Sequence, residues 1–216
     1  MNFVGKSIYQ ARVVLNEALR PLGVQVVNNA ELDALQSFKT AALSSMMRLP
    51  EVFVETGTYR GDTTAGAATL FREVHTIELS RELYERARDR FKDTKNVTCH
   101  HGDSAEVLRT LAPTIKEPAV FYLDAHWAGG NTARGEVEAP LLEEIDSIMA
   151  RSQKDVVVID DLRLIGKSGK TGLALSREYP LSDFDWRHVS MEAILYRLGR
   201  PKRIKECADK LIVDLG

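Results

Sequence analysis

Five short apolar runs, at 52–56, 74–79, 97–101, 119–124 and 155–160, alternate with helical patterns near 62–72, 81–92, 104–112 and 135–151. Strand-length runs separated by helix-length segments are joined through crossovers. A sheet built that way is parallel and has both faces covered. Such crossovers are right-handed. The alternation therefore predicts an α/β fold with a doubly wound, mostly parallel sheet.

The flanks read differently. Ile8, Ala11, Val14, Leu15, Ala18 and Leu19 recur at helical spacing, and a second helical stretch carries Leu32, Leu35, Phe38 and Ala41. Residues 1–49 are expected to form an N-terminal helical cap, 50–198 the main domain and 199–216 a C-terminal tail. Near the end, 185–191 and 193–198 are strand-like runs with no room for a crossover helix between them. They predict an antiparallel hairpin at the sheet edge. A short helix is expected near 205–210.

A chain of 216 residues suits one domain with a small extension. Its net charge of −2 gives no reason to expect nucleic acid or an anionic membrane as partner. Cys99 and Cys207 are far apart and lie outside any CxxC pair, which predicts reduced thiols in a cytoplasmic protein. The start lacks the design of a signal peptide, and no run approaches membrane-spanning length. The apolar N-terminal helices are a plausible homodimer surface.

The first strand run closes on an acid and a glycine turn, Glu55, Thr56, Gly57, Thr58, with a second glycine at Gly61 opening the next helix. In an open parallel sheet, ligands bind beyond the carboxyl ends of the strands where strand order reverses. Glycine allows the tight turn and a close approach of ligand to backbone. A dinucleotide site would place G-x-G-x-x-G here. The chain has E-x-G-x-x-x-G instead, and the acid favours a cationic or hydroxyl-bearing ligand over a pyrophosphate. The second run ends at Glu78, placed to bridge the hydroxyls of a ribose. The third leads to Gly102, Asp103 and Ser104, where Asp103 either accepts from an adenine amino group or caps the following helix.

This ordered series resembles the class I S-adenosylmethionine-dependent methyltransferases over about residues 50–198. The resemblance implies a seven-stranded Rossmann-like sheet with an antiparallel edge hairpin. It also implies S-adenosylmethionine as cofactor, with Glu55 and Gly57 near its methionine part and Thr56, Thr58 and Gly61 in the same turn. Glu78 would then lie on the ribose, with Asp103 and Ser104 at the adenine.

The fourth and fifth runs end in Asp124 and in the pair Asp160 and Asp161. Three carboxylates at one mouth repel each other unless a cation, a base or a proton intervenes. An all-oxygen set suits Mg²⁺ or Ca²⁺. The arrangement resembles divalent-metal-dependent O-methyltransferases of catechols and natural-product sugars. There the metal would hold neighbouring oxygens of a small polyhydroxylated acceptor and lower the pKa of one hydroxyl. His126, two residues past Asp124 and before a glycine-rich loop, is the alternative: a general base in a metal-independent enzyme acting on oxygen or nitrogen. In that reading Asp124 touches the cofactor and the Asp pair caps the next segment. A non-catalytic binding or assembly module is the third reading. Trp127 is expected to wall the acceptor pocket or pack on the cap, and Arg134 to bind an anion or a surface acid. The segment 166–172 fails the P-loop test and is expected to be a mobile lid.

Overall fold

The computed structural model describes residues 50–126, 135, 137–171, 181–207 and 209–216. The expected cap at 1–49, Trp127 and Arg134 lie outside the described residues.

A seven-stranded sheet organises the chain. Its strands are β1 (Val52–Thr56), β2 (Glu73–Glu78), β3 (Val97–His101), β4 (Ala119–Leu123), β5 (Val156–Ile159), β8 (Arg203–Cys207) and β9 (Lys210–Asp214), in the order β3-β2-β1-β4-β5-β9-β8. The first five are parallel, and β9 runs antiparallel between β5 and β8. The helices are α1 (Asp62–Ala68), α2 (Arg81–Phe91), α3 (Ser104–Leu111), α4 (Leu141–Met149) and α5 (Met191–Leu198). β1 pairs with both β2 and β4, so the strand order reverses between β1 and β4.

The period-two geometry of a strand sorts residues between the two faces. Val52, Val54, Phe121, Leu123, Val157, Ile159, Leu211 and Val213 point to one face, against Leu108 of α3, Ile145 and Ile148 of α4, and Ile194 and Leu198 of α5. Phe53, Val120, Tyr122, Val156, Val158 and Ile212 point to the other, with Ala67 and Phe71. β1, β4 and β9 are buried along their whole length, with an apolar run at the heart of each.

The edge hairpin exists, but it is built from β8 and β9 in the expected tail. The run at 193–198 lies in α5. Its buried residues Ile194 and Leu198 are four apart, Ser190 caps its start by accepting from the Ala193 N–H at 3.0 Å, and Gly199 ends it at φ +67°. Where a helix is expected near 205–210, residues 205–207 end β8 and Lys210 begins β9. The apolar run Leu211, Ile212, Val213 finds partners on both sides. The expected lid contributes β6 (Ser168–Thr171), which pairs antiparallel with β7 (Ser182–Asp185). Glu138 ties β7 down by accepting from the Asp185 N–H at 2.7 Å.

Arg151 joins α4 to the amino end of the sheet. Its guanidinium donates to Asp155 at 2.7 Å, to the Ile115 carbonyl at 2.7 Å, to the Glu117 carbonyl at 2.8 Å and to the Ala112 carbonyl. Asp155 also accepts from the Ala119 N–H at 2.8 Å. Both side chains are almost wholly buried. Removing one partner of such a pair strands the other charge, so Arg151→Ala is expected to cost about 3–5 kcal/mol of folding free energy. Urea unfolding of the variant measures this, and a loss of a few tenths would show that the pair is dispensable.

Candidate functional site

The turn after β1 is stitched to both neighbouring strands. The N–H groups of Gly57 and Thr58 donate to the Ile77 carbonyl at 2.9 and 3.2 Å, and the Asp124 N–H donates to the Thr56 carbonyl at 3.1 Å. Gly57 sits at φ +83°, and a Cβ there would lie 2.4 Å from the Asp124 carbonyl oxygen. Glycine is therefore required twice over, by conformation and by the approach of the β4 end. Tyr59 follows at φ 49°, a left-handed conformation uncommon outside glycine, and its N–H donates to Glu78 at 2.8 Å. Gly61, at φ +77°, packs on the Phe91 ring.

The acids at this edge have separate duties. Glu55 is 1% exposed. Its carboxyl accepts from the Thr76 hydroxyl at 2.7 Å and from the Thr64 hydroxyl, so it ties β1 to β2 and α1. Burial pushes its pKa up to about 7 against those hydrogen bonds. Thr58 shares a 2.6 Å hydrogen bond with Thr76.

Glu78 accepts one N–H at each oxygen, from Tyr59 and from Ser80, both at 2.8 Å. A carboxylate oxygen has two acceptor sites, so each retains one for a ligand hydroxyl. Asp103 caps α3 through Oδ1, which accepts from the Ala105 and Glu106 N–H groups at 3.0 and 3.2 Å. Its Oδ2 lies toward Gly135, 3.7 Å from where a Cβ on that residue would sit. Ser104 is buried at the first position of α3.

At the ends of β4 and β5 the structure gathers Asp124, His126 and Asp161, with one ligand-type atom from each lying within 4.8 Å of the others. His126 stands between the two carboxylates: Nε2 is 2.5 Å from Asp161 and Nδ1 is 3.4 Å from Asp124. Asp160 is not in this group. Lys210 donates to it at 3.1 Å, the Tyr122 hydroxyl at 2.5 Å and the Asp161 N–H at 2.7 Å, so both its oxygens are engaged. The trio expected from sequence was Asp124, Asp160 and Asp161, and the imidazole takes the place of Asp160. Asp161 sits at φ 54° and is also paired with Arg163, which binds Asp209 as well.

Electrostatics follow from burial and these partners. The carboxylates around His126, Asp161 first, outweigh desolvation and hold its imidazolium up to about 9. His126 and Arg163 together hold Asp161 well below the usual carboxylate range despite its burial. Asp124 goes the other way. Burial and the neighbouring Asp160 charge push it well above that range. Burial and Asp160 likewise push the Tyr122 phenol up.

Sequence reasoning missed Tyr122, Lys210, Arg163, Glu144 and Trp186. Glu144 left one visible sign. It lies on the buried stripe of α4 with Leu141, Ile145 and Ile148, where an acid is out of place. Lys210 carried no such sign, because its strand was read as tail.

No family model matches the chain, and no curated relative matches it. Solved structures do. CalS10, an amino pentose methyltransferase from Micromonospora echinaspora, is 13% identical over 94% of this chain and 97% of its own, at a TM-score of 0.55. The methyltransferase PaMTH1 of Podospora anserina is 13% identical over 100% of this chain and 98% of its own, also at 0.55. Against the O-methyltransferase TomG of Streptomyces achromogenes the identity is 21% over 72% of this chain, which spans 66% of that chain's length, at a TM-score of 0.47. The chain has the Rossmann-like α/β fold of the class I S-adenosylmethionine-dependent methyltransferases.

The His126 arrangement makes a pH-dependent contribution to stability. Its folded-state pKa of about 9 lies above the ordinary 6.5. The pairing therefore stabilises fully below pH 6.5, and the contribution is lost as pH rises through about 9. In chelator-treated protein, the melting-temperature advantage of the natural chain over His126→Asn is expected to shrink steadily across that window. A constant advantage up to pH 10, roughly one unit past the transition, would show that the imidazole is not held as a cation.

Proposed function

We propose that this chain is an S-adenosylmethionine-dependent methyltransferase acting on a hydroxyl of a small polyhydroxylated acceptor, such as a sugar or natural-product intermediate. The observation that carries the reading is the convergence of Gly57, Glu78, Asp103 and Asp124 at the carboxyl ends of β1, β2, β3 and β4, around the point where strand order reverses. CalS10 was solved with S-adenosylmethionine and PaMTH1 with S-adenosylhomocysteine, and both share this fold.

The residues divide the work. Glu78 binds the ribose hydroxyls through the acceptor site left on each oxygen. Asp103 offers Oδ2 at the adenine end while Oδ1 caps α3. Gly57 keeps the turn low enough for the β4 end to close against it. Glu55 holds that turn from behind. When bound, S-adenosylmethionine supplies the activated methyl group, and the protein's task is alignment and exclusion of water.

Asp124, His126 and Asp161 fit a divalent cation. Their donor atoms are close enough to share one ion, and the pressure of neighbouring acids on buried Asp124 is the charge imbalance that such an ion relieves. The imidazole in the set favours Mn²⁺, Fe²⁺ or Zn²⁺ over the Mg²⁺ or Ca²⁺ that three carboxylates would take. When bound there, the ion would lower the pKa of the acceptor hydroxyl. Arg163, itself paired with Asp209, holds Asp161, and Lys210 and Tyr122 hold Asp160. His126 acting alone as base is less well supported. With Asp161 against it, it keeps its proton at neutral pH and has no lone pair to accept another, whereas a bound ion would displace that proton.

Thermal shift tests cofactor and metal separately, since a ligand bound to the folded state raises its melting temperature. S-adenosylhomocysteine is expected to raise it by several degrees. Glu78→Ala is expected to weaken that binding about 10- to 100-fold, the worth of a charge-assisted hydrogen bond. Mn²⁺ added after chelation is expected to raise it as well, and Asp161→Ala to abolish the Mn²⁺ response while sparing the S-adenosylhomocysteine response. No response of the natural chain to S-adenosylhomocysteine would defeat the methyltransferase reading. A Mn²⁺ response unchanged in Asp161→Ala would defeat the metal assignment.

A further inference from the structure

Three buried side-chain polar atoms among the described residues lack a hydrogen-bond partner: Glu144 Oε1, Trp186 Nε1 and Asp214 Oδ2. Two of the three belong to residues lining one small cavity. It measures about 10 Å³, room for the centre of one water molecule, and Ala125, His126, Pro140 and Asp160 also border it. Glu144 is 1% exposed and Trp186 is 2% exposed. The indole meets the His126 ring edge-on at 4.7 Å between centroids, so the cavity adjoins the Asp124, His126 and Asp161 group.

Leaving a buried donor and a buried acceptor unmade costs about 1–3 kcal/mol apiece. Folded chains rarely tolerate that at two atoms beside one hollow. Glu144 and Trp186 do not bond each other, although one is an acceptor and the other a donor. A group between them would satisfy both.

We propose that Glu144 and Trp186 form a subsite for a single hydroxyl group, which donates to the Glu144 carboxylate and accepts from the Trp186 indole N–H. The chemistry of the two atoms selects the occupant. An ammonium group cannot accept from the indole. A carboxylate or phosphate oxygen cannot donate to Glu144 and would set a second charge beside it. A methyl group satisfies neither. A hydroxyl suits Glu144 in both protonation states, because its oxygen also accepts from a carboxylic acid. The volume admits one such group and no more.

The hydroxyl has two sources, a resident water or the acceptor itself. The subsite rests on the reading of the adjoining group as the place where a hydroxylated acceptor reacts. In that setting, a second acceptor hydroxyl anchored at Glu144 and Trp186 would hold the reacting one beside Asp124 and His126. Glu144 and Trp186 then act as specificity residues for an acceptor with hydroxyls on neighbouring positions.

The test is a crystal structure of the full chain, first without added ligand and then soaked with S-adenosylhomocysteine and methyl α-glucoside. The expected result is one density peak within hydrogen-bond reach, about 2.7–3.2 Å, of both Glu144 Oε1 and Trp186 Nε1. A sugar hydroxyl replacing that peak in the soak identifies the acceptor as the source. A peak unchanged by the soak identifies a resident water. An empty cavity, or Glu144 or Trp186 paired with another protein group, overturns the proposal.

A solution measurement stands beside the crystals. Trp186→Phe and Glu144→Leu are each expected to lower the melting temperature, and the double variant to lose clearly less than the two losses combined. Strict additivity also overturns the proposal, since a shared bridging group couples its partners. The ligand-free crystal and this cycle do not depend on methyl transfer. A chain that ignores S-adenosylhomocysteine but shows the bridged peak would fail the functional reading and keep the subsite.

Discussion

The contact between Gly57 and the backbone of Asp124 is the constraint from which the site follows. A parallel sheet that reverses its strand order opens a crevice at the carboxyl ends of the two strands flanking the reversal. Here those strands are β1 and β4, which pair in register from Val52 with Ala119 to Thr56 with Leu123. The chain leaving β1 must turn at once, and the chain leaving β4 passes directly against it. Only a residue without Cβ, at positive φ, permits both. The Tyr59 N–H that donates to Glu78 also comes from this turn, so the same turn orients that carboxylate.

The second theme is how one edge carries so many acids. Each buried carboxyl has its own remedy. Glu55 has two threonine hydroxyls. Asp160 has Lys210 and Tyr122, and Asp161 has His126 and Arg163. Asp124 has the weakest provision: a single contact at 3.4 Å to an imidazole already engaged at 2.5 Å by Asp161. Burying a charge without a partner is unfavourable, so the group shifts its pKa and neutralises. Burial and the Asp160 charge push Asp124 up, and a positive charge placed beside it would oppose that push. Arg163 does not serve there, because Asp161 and Asp209 hold it.

The parallel half of the fold is legible because four of its five strands, β1, β2, β4 and β5, are buried almost throughout and the strands are separated by helices. Apolar run, acid, helix is a pattern with few other interpretations, and the ends of β1 and β3 were found to the residue. The last third was harder for physical reasons. Met191–Leu198 is short, and eight residues cannot separate a buried helix from a strand by periodicity alone. What decides it is the Ser190 cap and the four-residue spacing of Ile194 and Leu198. β9 escaped notice because its central position depends on pairing with β5, a contact about fifty residues distant in sequence. The error carried into the site. Lys210 lies in β9, so the basic side chain that partners Asp160 comes from the part of the sequence that is hardest to read.

Glu144 shows why local reading underestimates a site of this kind. Its carboxyl touches no neighbour in sequence. Ser104 at the start of α3 and Thr56 at the end of β1 hydrogen-bond it and oppose the rise in pKa to about 7 that burial causes. Thr56 in turn accepts from the Asp124 N–H at 3.2 Å through its hydroxyl. One buried acid on α4 thus joins the start of α3, the end of β1 and the loop that carries His126. Moving any one of these elements would break a hydrogen bond at a carboxyl that water cannot reach, which is costly in a low-dielectric interior. Glu144 therefore holds the start of α3, the end of β1 and the chain leaving β4 in one register.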